Sequence, residues 1–267
     1  MSAPQEGEQR RKKQTDTPWR SALSFQDQLR SNPPQGEGYL REITGARDLR
    51  AVVVHEAAER FPDSVKNQII RAYERACELH AAAPRRRTDA EAATHPIRSG
   101  ITVLQDRSFS DLHAVIMFFH DVIEDCGQTK QTVFKEAKKL DYDDAQADFI
   151  ARGVDALSRV GSDGKKLEEQ AYMDKLQKAR PELRIPELKA IDTTDNLLDD
   201  AYLLTTRSDK ANSLKIDAYL RGKVQAVTNL AETNAPGTPA TNNLHEVVGV
   251  VTQAMSTEAT VVFREAA

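Results

Sequence analysis

The chain has 267 residues, 39% hydrophobic and 29% charged, with a formal net charge of -4. That composition describes a soluble globular protein with one sizeable core, and the acidic balance gives no general attraction to nucleic acid or to an anionic membrane. Cys77 and Cys126 are the only cysteines, too few for a disulfide framework and without zinc-site spacing, so a reducing cytoplasm is the expected setting.

Polar residues follow Arg10-Arg11-Lys12-Lys13, so no secretory leader is expected, and no run approaches the ~18 apolar residues of a membrane span. Residues 1–40 are rich in Gln, Glu, Arg, Ser and Pro; they read as a weakly ordered tail, with Trp19, Leu23, Phe25 and Leu29 as anchors for one short docking helix. The basic run reads as solvated. The rest, 41–267, reads as one helical domain with a C-terminal helical extension.

Apolar residues recur at threes and fours from Ala46 to about Phe61 and from Ser64 to about Ala83, which predicts two amphipathic helices meeting at Pro62. A basic connection, Pro84 to Thr94, leads to His95-Pro96, where the proline opens another helix. Ser110 caps the next, in which Leu112, Val115, Ile116, Phe119, Val122 and Ile123 share helical spacing up to Gly127. Helical patterns continue over 129–140, 144–159, 165–178, 184–204, 208–231 and 243–255, with loops at 161–164 and 234–241. The expected fold is all-α, an HD-domain-like bundle of about nine or ten helices. The β-branched stretch Thr257 to Phe263 could form one short strand.

The chemistry concentrates at the end of the most apolar helix, in His120-Asp121-Val122-Ile123-Glu124-Asp125. Ionisable groups beside apolar surface are costly unless paired or bound to a metal, and an adjacent His-Asp pair offers a nitrogen and an oxygen to one cation. Taken singly, a histidine is more often a loop residue than a ligand, and an acid near a helix end is usually solvated; His55, His80, His113, His245, Asp195, Asp199 and Asp200 read that way. His95-Pro96, His120-Asp121 and Asp192 within Ile191-Asp192-Thr193-Thr194-Asp195-Asn196-Leu197 together form an ordered H…HD…D plan.

In that plan the chain resembles the HD-domain metal phosphohydrolases, and within them the hydrolase domain of the RelA/SpoT alarmone enzymes and their small stand-alone relatives. The likeness covers about 71–198. Ala72 through His80 is similar to the family's opening helix, His120 to Asp125 matches its HDxxED signature, Gly153 to Arg159 is similar to the helix that follows, and Ile191 to Leu197 resembles its ADRLHNM segment. The residues after Leu198 are too few for the family's nucleotidyl-transferring domain, so a hydrolase domain alone is expected.

The resemblance implies that His95, His120, Asp121 and Asp192 hold one divalent cation, manganese in the family; the donor chemistry alone suits manganese, iron, cobalt or zinc about equally. It further implies that Glu124 and Asp125 orient a water and accept its proton, that Arg86 contacts phosphate with Arg85 as its rival, and that Asn196 reaches a ribose hydroxyl. The implied activity is hydrolysis of the 3′-pyrophosphate of guanosine alarmones. Where the family has a glycine and a Pro-Tyr pair, this chain has Thr88 to Thr94, and the arginine and histidine of ADRLHNM are Thr193 and Asp195. The nucleoside is therefore left open: another nucleotide, such as a deoxynucleotide, a nucleoside monophosphate or the 2′-phosphate of NADPH, or a nucleotide-binding module without turnover, are the alternatives. Neither nucleic acid nor membrane is expected as a partner.

Overall fold

The computed structural model describes residues 45–206 and 210–265. The N-terminal tail and its docking helix, and the first residues of the stretch expected to begin at Ser208, lie outside them. The chain is all-α, with ten helices of eight or more residues among the described residues and one isolated antiparallel bridge, Val160 to Lys166, closing the expected 161–164 loop.

A single 3₁₀ turn, Ala46–Leu49, leads into α1 (Arg50–Arg60), and Pro62 separates α1 from α2 (Asp63–His80). Both helices bury one stripe, Val53 and Ala57 on α1 and Ile69, Ala72, Tyr73 and Ala76 on α2. The Arg60 guanidinium then finishes α3 (Thr94–Gln105) by donating to the carbonyls of Val103 at 3.2 Å and Asp106 at 3.1 Å, groups that a helix end leaves without an internal partner.

The centre of the first half is α4 (Asp111–Phe119), where every residue from His113 to Phe119 is buried. A helix apolar all round must be enclosed, and α2, α3 and α6 (Asp144–Leu157) enclose it. Two glycines permit the close approach. A Cβ at Gly100 on α3 would stand 2.2 Å from the Phe118 ring, and one at Gly153 on α6 would stand 2.3 Å from Ile116. Between α4 and α6 run a helical turn, Val122–Asp125, and α5 (Lys130–Lys139), whose Thr129 cap accepts from the Thr132 N–H.

The helix expected to run unbroken to Gly127 ends instead at Phe119, and His120 and Asp121 form a turn before the short Val122–Asp125 segment. The reason is local. The His120 ring donates from Nδ1 to the Met117 carbonyl at 2.8 Å, and Asp121 relaxes to φ -91°, ψ -6°, out of register with α4. The expected stop at Gly127 does appear, with φ +62°.

The second half is built on α8 (Ile185–Thr206), which α7 (Glu169–Gln177), α9 and α10 (Pro239–Glu265) pack against. The α9 helix runs as Lys210–Tyr219, a π-turn Leu220–Val224 and Gln225–Asn234. Residues 257–263, entertained as a strand, continue α10; a lone strand would have no ladder partner, whereas the preceding turns of helix already supply hydrogen bonds along the chain. No described helix is long and apolar enough to cross a membrane.

Candidate metal centre

The centre forms where the first turn of α3, the break after α4 and the middle of α8 meet. Along α8, Lys189, Asp192, Asp195, Asn196 and Asp199 recur at threes and fours, so they share one face and turn it toward α3. His95 sits in the first turn of α3, and His120 and Asp121 in the turn that ends α4.

The four expected ligands converge. His95 Nε2 lies 2.8 Å from Asp192 Oδ1 and 3.1 Å from His120 Nε2, and His120 Nε2 lies 3.5 Å from Asp192 Oδ1. Asp121 closes the group at 3.2 Å from His120 Nε2 and 3.6 Å from His95 Nε2. Metal bonds of about 2.1 Å at right angles or tetrahedral angles place donor atoms roughly 3.0–3.4 Å apart, so this spacing suits one shared cation. His95, His120 and Asp192 are each buried.

The ring orientations are held from behind. Carbonyl oxygens and ionised carboxylates only accept, so the Nδ1 N–H of His120 donates to Met117 and that of His95 donates to Asp195 Oδ2 at 2.7 Å. Both Nε2 atoms are thereby turned to the centre. Such carboxylate- or carbonyl-backed imidazoles are the usual support of a metal-binding histidine. Asp195 is held in turn by a two-pronged bond from Arg98, at 2.8 and 2.7 Å, and Arg98 also reaches Asp199 at 2.7 Å.

The electrostatics keep the carboxylates charged. Burial works against ionisation of Asp192, but the charge of Lys189, followed by hydrogen bonds with His120 and His95, holds its carboxyl well below the usual range; the Lys189 ammonium bonds its Oδ2. Burial likewise opposes the charge of Asp121, and His120 and His95 outweigh it. For Asp195, burial is reversed by Arg98 and by the bond with His95. Burial also disfavours a charged His120, yet Asp121 and Asp192 push it up to about 9.

Beside the centre opens a cleft of about 380 Å³ lined by Arg85, Arg86, Arg87, Asp125, Asn196 and Asp199. Asn196 joins the two: its Nδ2 donates to Asp192 Oδ1 at 2.8 Å, and its Oδ1 accepts from Arg86 Nη2 at 2.7 Å. Arg86 also donates from Nε to Asp199 at 2.8 Å, whereas Arg85 donates to the Asp89 carbonyl. Asp125 faces the cleft, its carboxyl raised by burial and then by Asp121 and Glu124. Glu124 turns aside, accepting the Arg159 backbone N–H at 2.6 Å.

Several residues read as bland are part of the structure around this site. Asp195, Asp199 and Asp200 are not solvated ends: they anchor His95 and Arg98, Arg86 and Arg98, and Arg87 respectively. Their spacing after Asp192 was the available signal. His80, read as a loop residue, is buried in the last turn of α2, with Nδ1 on the Ala76 carbonyl at 2.9 Å and Nε2 without a partner among the described residues. His113 is a buried cap residue whose Nδ1 accepts the Ser110 N–H, while His55 is exposed and His245 pairs with Glu232 at the surface. Arg98 and Lys189 were not singled out; for Arg98, a lone charge within an otherwise uncharged helix was the sign.

Compared with protein-family models, with curated proteins and with solved structures, the chain matches none.

Proposed function

We propose that this protein is a metal-dependent phosphohydrolase of the HD type, acting on a phosphorylated nucleotide. The observation that carries the reading is the convergence of two Nε2 atoms and two charged carboxylates, with each imidazole tied at Nδ1, beside a cleft lined by arginines. His95, His120, Asp121 and Asp192 would hold the divalent cation, with manganese favoured by the resemblance. A cation held there supplies Lewis acidity, lowering the pKa of water and withdrawing charge from a phosphate oxygen.

The chain's own residues supply the rest. Lys189 and Asp195 keep the ligands charged and oriented, and Arg86 presents its guanidinium to phosphate oxygens from a position fixed by Asp199 and Asn196. Asp125, with its raised carboxyl, is the proton acceptor of the pair, since one Glu124 oxygen is engaged by Arg159. By the resemblance, Asn196, at the boundary between centre and cleft, would meet a ribose hydroxyl.

The favoured substrate is the guanosine 3′-pyrophosphate alarmone, cut at the 3′ ester to release pyrophosphate. The altered stretch Thr88 to Thr94 supports the second reading, hydrolysis of a different nucleotide. The test is phosphate and pyrophosphate release from a nucleotide panel that includes the alarmones, with manganese and with a chelator, comparing wild type and Asp121→Ala. Metal-dependent pyrophosphate release from the alarmone, lost in Asp121→Ala, is the expected result. Release from another nucleotide keeps the mechanism and removes the alarmone, and no turnover of any member by metal-loaded protein overturns the enzyme reading.

A further inference from the structure

One cation touches the supports of both the centre and the cleft. On α3, Arg98 follows His95 by three residues, so the two side chains leave the helix on one side, and α8 meets them with Asp192, Asp195 and Asp199 at threes and fours. Arg98 grips Asp195 with two prongs, Nε to Oδ1 at 2.8 Å and Nη2 to Oδ2 at 2.7 Å. The same Nη2 reaches Asp199 Oδ1 at 2.7 Å.

Each of these carboxylates also holds a group of the site. Asp195 Oδ2 accepts from His95 Nδ1 at 2.7 Å, behind the ring whose Nε2 is turned to the centre, and Asp199 Oδ2 accepts at 2.8 Å from Nε of Arg86, which lines the cleft. From Arg86 the contacts return to the centre. Its Nη2 donates to Asn196 Oδ1 at 2.7 Å, Asn196 Nδ2 donates to Asp192 Oδ1 at 2.8 Å, and Asp192 Oδ1 lies 2.8 Å from His95 Nε2. The circuit closes on the residue where it began.

Its geometry makes this circuit stiff. A guanidinium is planar and carries its donors in a fixed fork, so Arg98 sets the separation of Asp195 from Asp199, which a flexible lysine ammonium would leave free. Water has little access to loosen the bridge: the side chain of Arg98 is 11% exposed, that of Asp195 12% and that of Asp199 6%. Neutralising the two acids needs no shared donor, because Arg86 already pairs with Asp199; a fixed placement of His95 relative to Arg86 does need one. Arg86 spends Nε and Nη2 donors on the circuit and keeps the rest of its fork for an anion.

We propose that Arg98 is a positioning residue shared by the two parts of the site: its bridge from Asp195 to Asp199 holds His95 and Arg86 in one fixed relation, so that a divalent cation at the centre and a phosphate oxyanion at Arg86 are bound as a coupled pair. This rests on the phosphohydrolase reading and deepens it. Coupling between two binding sites is reciprocal. Damage on the anion side is therefore felt at the metal centre, and damage on the metal side at the anion.

The experiment is calorimetric titration of the full chain with manganese, and of the metal-free full chain with inorganic pyrophosphate, at a temperature where circular dichroism shows the protein folded. Asp199→Asn alters no hydrogen bond of the four expected ligands, yet manganese affinity is expected to fall about threefold or more. Asp195→Asn leaves the contacts of Arg86 in place, yet pyrophosphate affinity is expected to fall by a similar factor. Arg98→Lys keeps the charge and breaks the fork; it is expected to lower both affinities, and it stands in for either variant that does not fold. Glu136→Gln is the control, a buried carboxylate likewise shared by two cations, Arg75 and Lys139, but outside the circuit, and both affinities are expected to hold in it. Manganese affinity that falls as far in Glu136→Gln as in Asp199→Asn overturns the inference, as does a wild type that binds no pyrophosphate. A wild type that takes up no manganese sinks the phosphohydrolase reading together with the inference, whereas uptake that Asp199→Asn leaves unaltered sinks the positioning role alone.

Discussion

The candidate metal centre and the cleft beside it share Asn196 yet are built in different ways. At the centre His95, His120 and Asp192 are buried and each is held by a partner: His95 by Asp195, His120 by the Met117 carbonyl, Asp192 by Lys189. The cleft is walled on one side by the connection between α2 and α3, where Arg85 is exposed and donates to the Asp89 carbonyl. Buried charges tolerate little change because each removal strands a partner, whereas exposed ones are replaced by water. The geometry of the centre is thus fixed by the bundle, whereas the connection that walls the cleft can vary without unfolding it.

The sharpest way to break this contrast is Asp192→Ala. It strands the buried Lys189 ammonium and removes a ligand, so a loss of about 3–5 kcal/mol in chemical denaturation is expected, along with loss of metal uptake. A loss below about 1 kcal/mol would mean that water reaches the centre and that the contrast with the cleft is false.

Next in size is Asp195→Asn, which keeps the shape but weakens the hold on His95 and on Arg98. Manganese affinity in calorimetry is expected to fall about 10–100-fold. The same carboxyl carries a pH signature: its folded value lies below the ordinary 3.8, so its stabilisation is present above that pH and lost as pH falls through the folded value. The stability advantage of wild type over Asp195→Asn is therefore expected to be full above the ordinary carboxyl value and to shrink as pH falls below it, which melting temperatures of the two across an acid series would check.

Gly100→Ala probes what holds the two histidines together, since the added methyl would meet the Phe118 ring between α3 and α4. Overpacking of this kind costs about 1–3 kcal/mol, and the displaced α3 would carry His95 with it. Thermal unfolding with and without manganese separates the two effects; a variant as stable as wild type, with unaltered metal affinity, would show that the helices can part freely.

The smallest effect on stability is expected from Arg86→Ala. Asp199 keeps Arg98 as its partner, so the loss is about 1 kcal/mol or less, while pyrophosphate affinity falls about tenfold or more. A stability loss as large as that of Asp192→Ala would place Arg86 in the same structural class as the centre.

Much of this was legible in the chain. The apolar spacing over 111–123 marks a buried helix, Pro62 and Gly127 mark element ends, and the histidines and acids at 95, 120, 121 and 192 lie where an ordered ligand plan puts them. The break after Phe119 was not legible, because apolar spacing continues through Val122 and Ile123; only the His120 ring bond to the Met117 carbonyl ends α4 early. Nor was the work of Asp195, Asp199 and His80, since an acid or a histidine on a helix looks the same in sequence whether it faces water or another helix.

By itself, the sequence determined the helical class, the positions of most helix ends and which residues have ligand chemistry, because these depend on side-chain type and on periods of three and four along a local chain. Only the tertiary structure decided which of those residues meet. The α8 helix lies against α3 by the fit of their surfaces, and that packing brings Asp192 within 2.8 Å of a histidine 97 positions away and gives Asp195 to His95. Such contacts are properties of pairs of surfaces, and no period within one segment encodes them.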